Sequence, residues 1–241
     1  MKYPESIQRT ARIAGIMFLI MALIGPFSMM YVPSQLIVSG NASLTASNIM
    51  ASMGLFRLGI IGHIIILLAD LGVALLLYVI LKPVNRTAAL FAAAFRLIMV
   101  GIRGTNLINY FIVLQLLRGG SPMAAFDPGT LHALVMLFLD AFNYGLDLDM
   151  VFFSFHLLFL GYLVFYSGFF PRILGVLLFI AFFGYLTIAL SSLFFPAWEK
   201  VITGIFTIPN ALSELALMLW LLIKGVNVEK WMKCAVEATQ S

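Results

Sequence analysis

At 241 residues, 63% hydrophobic and 10% charged with a net charge of +4, the chain carries less than half the charge of an ordinary water-soluble domain, in which about a quarter of residues are charged. Its mean hydropathy is +1.08, and apolar runs long enough to cross a hydrocarbon core about 30 Å thick recur along its whole length. The basic residues stand at the ends of those runs rather than in a patch, which excludes a nucleic-acid partner, and the one cysteine, Cys234, excludes an internal disulfide or a cysteine-based metal site.

The chain starts with a short polar segment carrying Lys2, Arg9 and Arg12, followed by an apolar run from Ile13 to Tyr31. That run is too long for a signal peptide and lacks its small-x-small cleavage pattern, so a first span is expected at about 12–31. Residues 33–54 are polar but uncharged, and a short helix is expected near Ala46–Met53. The second span is expected at about 55–81 and the third at about 87–117, joined by the tight turn Lys82-Pro83-Val84-Asn85-Arg86. The third would be roughly 45 Å long if helical throughout, more than a bilayer core needs. Its first turns hold Ala88, Ala89, Ala92 and Ala93, small residues that let a neighbouring helix come close.

Gly119-Gly120-Ser121-Pro122 breaks the pattern, and Asp127-Pro128 reads as an N-cap and first-turn pair. The helix that starts there is expected to stop near Phe142, too short to span, and to lie as an amphipathic or re-entrant outer helix at about 128–142. Further spans are expected at about 150–167, 173–194 and 202–223, with a polar tail after Lys224-Gly225. The expected architecture is therefore all-α: a single membrane domain, residues 1–241, of six transmembrane helices. With six spans and the N-terminus inside, nine of the 14 basic residues fall on the inner side, three (Arg57, Arg118, Lys200) on the outer side, and Arg96 and Arg103 within the spans. The rule that cytoplasmic loops are basic then places both termini in the cytoplasm.

Charge inside the spans carries the functional reading. His63 and Asp70 are seven residues apart on the second span, as are Arg96 and Arg103 on the third, so each pair shares a helical face. Counting from Val84, Asp70 is 14 residues back and Arg96 is 12 on, while His63 is 21 back and Arg103 is 19 on. Two paired layers are expected, Asp70–Arg96 near the midplane and His63–Arg103 further out. His156 and Glu214, on the fourth and sixth spans, come out at the same depth as Asp70 and Arg96, roughly 15–18 Å from the inner surface. Four ionisable groups at one level suggest one buried charge network of Asp70, Arg96, His156 and Glu214, because a lipid-facing charge there would cost several kcal/mol. If both carboxylates are ionised, Arg96 and a protonated His156 balance them. His63, Arg103, Arg57, Asn106 and Asp140 are secondary candidates, and Asp127, Asp140, Asp147 and Asp149 read as a locally acidic outer face.

Several stretches resemble a known family: Gly54-Leu55-Phe56-Arg57-Leu58-Gly59, Leu81-Lys82-Pro83-Val84-Asn85-Arg86, Gly161-Tyr162-Leu163 through Ser167-Gly168-Phe169-Phe170-Pro171-Arg172-Ile173-Leu174-Gly175, and Glu214-Leu215-Ala216-Leu217 with Trp220-Leu221-Leu222-Ile223-Lys224-Gly225. In order and over nearly the whole chain they resemble a bacterial family of multi-pass membrane proteins catalogued as domain of unknown function 4386. The resemblance implies a bacterial cytoplasmic membrane and supplies no substrate or catalytic residue.

The working expectation is a non-enzymatic membrane protein with a charged midplane pocket that binds, transports or senses a small ligand, a proton or a cation, its only other partner being the lipid bilayer. No cofactor is expected. One competing reading is an intramembrane metal-dependent hydrolase, since His63, His156, Asp70, Glu214 and, as a further candidate, Asp140 are metal-ligand types. No H-E-x-x-H spacing supports it, and Arg96 would repel a cation. The other is a structural or accessory subunit whose charges only clamp helices together.

Overall fold

A computed structural model describes residues 3–118 and 126–240. The expected break at Gly119-Gly120-Ser121-Pro122 and the basic Lys2 lie outside the described residues. The described residues are helical with no strand: α1 (Tyr3–Gly25), a π-helical segment (Pro26–Tyr31), α2 (Val32–Leu36), α3 (Ala42–Ala51), α4 (Met53–Leu81), α5 (Arg86–Asn106), α6 (Ile108–Arg118), α7 (Pro128–Tyr166), α8 (Arg172–Phe194), α9 (Glu199–Ile223) and α10 (Val228–Gln240). Among them six helical stretches are long and apolar enough to cross a membrane. The chain is a multi-pass membrane protein.

Three features differ from the sequence expectation, each for a local reason, although the third span keeps its expected extent at Arg86–Arg118. The first span does not stop near Tyr31 but runs on to Leu36. Pro26 lacks an N–H, and the helix widens into a π turn there instead of ending. The third span breaks at Leu107 into α5 and α6. There the Asn109 side chain donates to the Asn106 carbonyl at 3.0 Å, and the Tyr110 N–H turns to Leu107 instead, at 3.1 Å. The segment at about 128–142 is helical, as expected, but is not a separate outer helix. It is the first part of α7, 39 unbroken residues, or roughly 58 Å. Gly145 does not end the helix; its bare Cα gives room to the Asn106 side chain.

The chain forms two compact units. One comprises residues 1–20, 69–100 and 147–241, the other residues 21–68 and 101–146. In the first, Ala88, Ala89, Ala92 and Ala93 of α5 are buried, and Phe95 stacks on Phe155 and Phe159 of α7 with ring centroids 5.4 and 5.8 Å apart. Helices α7 and α8 cross at Gly161 and Gly175, where a Cβ on Gly175 would lie 2.8 Å from the Gly161 carbonyl. Such contact is the small-residue approach that holds helices together in lipid, where apolar burial alone drives little association. At one end of this unit the Gln8 side chain of α1 donates to the Lys224 carbonyl and accepts from the Val226 N–H. Trp231 of α10 donates to the Ile80 carbonyl at 2.8 Å. The start of α1, the α4–α5 turn and the turn after α9 therefore share one face. The second unit is organised on Tyr110 and Phe142, whose rings stack at 3.9 Å, with Phe56, Val135 and Leu139 buried around them.

Candidate functional site

The tight α4–α5 turn makes these helices antiparallel neighbours, and it brings Arg96 to Asp70. Arg96 donates from Nε and Nη2 to one oxygen of Asp70 at 3.1 and 2.5 Å. Its Nη1 lies 3.0 Å from Nε2 of His156 on α7, and His156 Nδ1 is 2.8 Å from the Ala92 carbonyl. The carbonyl can only accept, so Nδ1 carries the proton; Nε2 is then an acceptor for the guanidinium. This fixes His156 as a neutral imidazole rather than the protonated balancing charge, and the three residues sum to zero charge. Asp70, Arg96 and His156 are 3%, 2% and 1% exposed. The faces of Phe18 and Phe153 close over the guanidinium, 5.2 and 5.6 Å from their centroids, a favourable place for a desolvated cation.

Glu214 accepts a hydrogen bond from Tyr185 of α8. Tyr185 meets Phe153 edge-on at 5.0 Å, and Phe153 stacks against His156 at 5.9 Å, so an aromatic ring lies between this pair and the imidazole. The space beside His156, walled by Ala74, Ala89, Ala92, Ala93 and Leu160 among others, amounts to about 10 Å³. That is room for one water and no more.

No hydrogen bond joins the expected His63–Arg103 pair among the described residues. His63 is 1% exposed, and neither ring nitrogen has a hydrogen-bond partner among the described residues. Its ring packs edge-on against Tyr110 and Phe142, at 5.7 and 5.2 Å. A histidine and an arginine have no charge complementarity to draw them together, whereas aromatic edges suit a neutral imidazole. Arg103 is half-buried in the last turn of α5. His63 lines a cavity of about 290 Å³ with Ser34, Ser39, Tyr110, Phe142 and Asn143, and no charged residue lines it.

Of the other candidates, Asn106 donates to the Phe142 carbonyl at 2.7 Å, and Asp140 is exposed on α7. Arg57 is exposed near the start of α4. The expected acidic face is not a cluster. From Asp127 to Asp149 the four aspartates are strung along 22 residues of sequence, roughly 33 Å of helix. Asp127 caps α7 by accepting from the Thr130 hydroxyl and backbone N–H, and these bonds, the hydroxyl's first, hold its carboxyl below its ordinary pKa. Asp147 accepts from Ser192 at 2.6 Å, and Asp149 is only 1% exposed.

Two polar residues of interest lay outside the sequence expectation. Tyr185 is the partner of Glu214, and a tyrosine in an apolar run gave no signal. Asn210, 2% exposed, packs its amide against Gly184 with no hydrogen-bond partner among the described residues; the polar residue directly after Pro209 was the available sign. Among the described residues no three His, Cys, Asp or Glu side chains gather where they would share a metal ion.

The chain is similar to known proteins of unassigned activity. An uncharacterised protein of Archaeoglobus fulgidus is 32% identical over 166 residues, 69% of this chain and 83% of that protein. No solved structure matches. The family model described as Domain of unknown function (DUF4386) matches residues 13–225, and the chain belongs to that family.

Proposed function

We propose that this protein is a non-enzymatic membrane protein that holds a small, uncharged, hydrogen-bonding molecule in the His63 cavity, while Asp70, Arg96 and His156 clamp helices. The observation that carries this reading is the His63 ring: almost fully buried, both nitrogens without a hydrogen-bond partner among the described residues, at the wall of a cavity of about 290 Å³. Buried polar atoms are nearly always satisfied by protein, water or ligand. Apolar walls with a few convergent polar groups are the common form of a small-molecule site. Ser34, Ser39 and Asn143 supply the other polar groups, and the absence of charge from the lining favours a neutral occupant over an ion.

The midplane network suits a structural role better than a ligand site. Both ring nitrogens of His156 are engaged, and the adjoining space holds no more than a water. No observation favours the hydrolase reading. A prokaryotic cytoplasmic membrane with both termini inside is supported by the bias of basic residues and by the shared face of the α1 start, the α4–α5 turn and the C-terminal turn.

The test is native mass spectrometry of the protein extracted from its own membranes in mild detergent. Wild type is expected to carry a small-molecule adduct that His63→Phe loses and Glu214→Gln keeps. An uncharged non-lipid adduct that survives His63→Phe, or no such adduct on wild type, sinks the reading; a retained phospholipid does neither.

A further inference from the structure

The second unit holds a groove that shares no residue with the His63 cavity. It measures about 460 Å³ and is lined by two stripes of four residues, Arg57, Ile60, Ile61 and Ile64 from α4, and Phe111, Leu114, Gln115 and Arg118 from α6. Both stripes follow the i, i+3, i+4, i+7 pattern of a single helical face. Because α4 begins near Arg57 and α6 ends at Arg118, opposed chain directions put both guanidiniums at one end. Ile64 and Phe111 stand at the other end, roughly 10 Å along the helices.

This groove is graded: cationic at the helix ends, with Gln115 one turn in, and apolar beyond. Ile60 is 3% and Leu114 8% exposed at its floor, while Ile61, Ile64 and Phe111 are exposed along its open side. Arg57 and Arg118 are both exposed, and neither guanidinium has a hydrogen bond or ion pair to another described residue. At the end of a spanning helix a guanidinium sits at the level of lipid headgroups, and the planar fork of arginine matches the oxygens of a phosphate.

We propose that this groove binds one phospholipid with a net anionic headgroup, its phosphate held between Arg57 and Arg118 and one acyl chain laid along Ile60, Ile61, Ile64 and Phe111. Charge complementarity selects the headgroup and the apolar floor selects the chain. A zwitterionic lipid presents the same phosphate but adds an ammonium, which two adjacent guanidiniums repel. An inorganic anion offers nothing to the apolar two-thirds of the groove.

The experiment adds phosphatidylglycerol, phosphatidylcholine or inorganic phosphate to delipidated protein in detergent and counts bound molecules by native mass spectrometry. Wild type is expected to retain one phosphatidylglycerol in preference to phosphatidylcholine. Replacing both arginines (Arg57→Gln with Arg118→Gln) is expected to weaken that retention about tenfold or more, the loss of two charge-assisted contacts. Ile61→Trp, which fills the groove without touching charge, is expected to weaken it comparably and keeps the proposal testable if the arginine variant does not fold. Arg172→Gln, at a residue that does not line the groove, is expected to leave it unchanged. Equal retention of the two lipids, retention unaffected by Ile61→Trp, or competition by inorganic phosphate at equal concentration would each overturn the proposal.

Discussion

Arg96 places two of its nitrogens on a single carboxylate oxygen of Asp70, 26 residues earlier in the chain, and both side chains are almost wholly withdrawn from solvent. In a medium where a lone charge is expensive, neither residue is tolerable without the other. The pair therefore makes the α4–α5 hairpin an all-or-none unit rather than adding a modest increment of stability.

Removing one partner should consequently be worse than removing both. Asp70→Asn leaves a buried guanidinium without its counter-charge and is expected to destabilise the protein by about 3 kcal/mol. Asp70→Asn combined with Arg96→Met is expected to recover much of that loss, since the desolvated charge is gone and Met fills the space between Phe18 and Phe153. Unfolding of the three variants in mixed micelles, compared as a double-mutant cycle, measures the coupling. Additive losses would mean that the pair is not a clamp.

This contact was legible in the sequence because it depends on only two things the sequence states: a four-residue turn and counts outward from it that match to within one helical turn. The same counting did not show that His63 and Arg103 make no hydrogen bond. Depth along a helix follows from residue number, but the direction a side chain faces depends on which neighbours pack there, and for His63 those neighbours are Tyr110 and Phe142. Glu214 shows the same limit. Its level was readable from the ten residues separating it from Lys224, whereas its partner Tyr185 was not, because nothing in the pattern of α8 marks one face over another. The six spans were readable from their apolar length alone. The continuity of α7 was hidden because Gly145, Asp147 and Asp149 look like a loop until Asn106 and Ser192 are seen to pair with that stretch.

The hydrogen bonds of His156 predict a single tautomer. Its Nδ1 faces a carbonyl and its Nε2 faces a guanidinium, so the proton resides on Nδ1 whenever the network is intact. Nitrogen-15 spectra of histidine-labelled protein should show one buried imidazole with a protonated Nδ1 and an unprotonated Nε2, unchanged across neutral pH. Loss of Arg96 removes the donor that holds this arrangement, so Arg96→Met is expected to let that signal shift or average between tautomers. A wild-type spectrum with the proton on Nε2 would contradict the geometry.

Cys234 reports both the membrane orientation and the docking of α10, because it is the sole cysteine. Its thiol donates to the Pro83 carbonyl at 3.4 Å, beside the Trp231 contact to Ile80 that fixes the helix against the α4–α5 turn. Partial burial, with the nearby Glu237 carboxylate as the lesser cause, pushes the thiol pKa above its ordinary value. The reactive thiolate is therefore scarcer at neutral pH than in a free cysteine, and it should accumulate only at higher pH. An impermeant maleimide is expected to label inverted vesicles but not intact cells, slowly at neutral pH and faster as the pH rises. Trp231→Ala releases the hydrogen bond that seats α10 and is expected to speed labelling at every pH, whereas Glu237→Gln removes only the carboxylate and should lower the pH at which labelling accelerates. Labelling of intact cells would reverse the orientation and move the α4–α5 turn, which lies beside Cys234, to the outer surface with it.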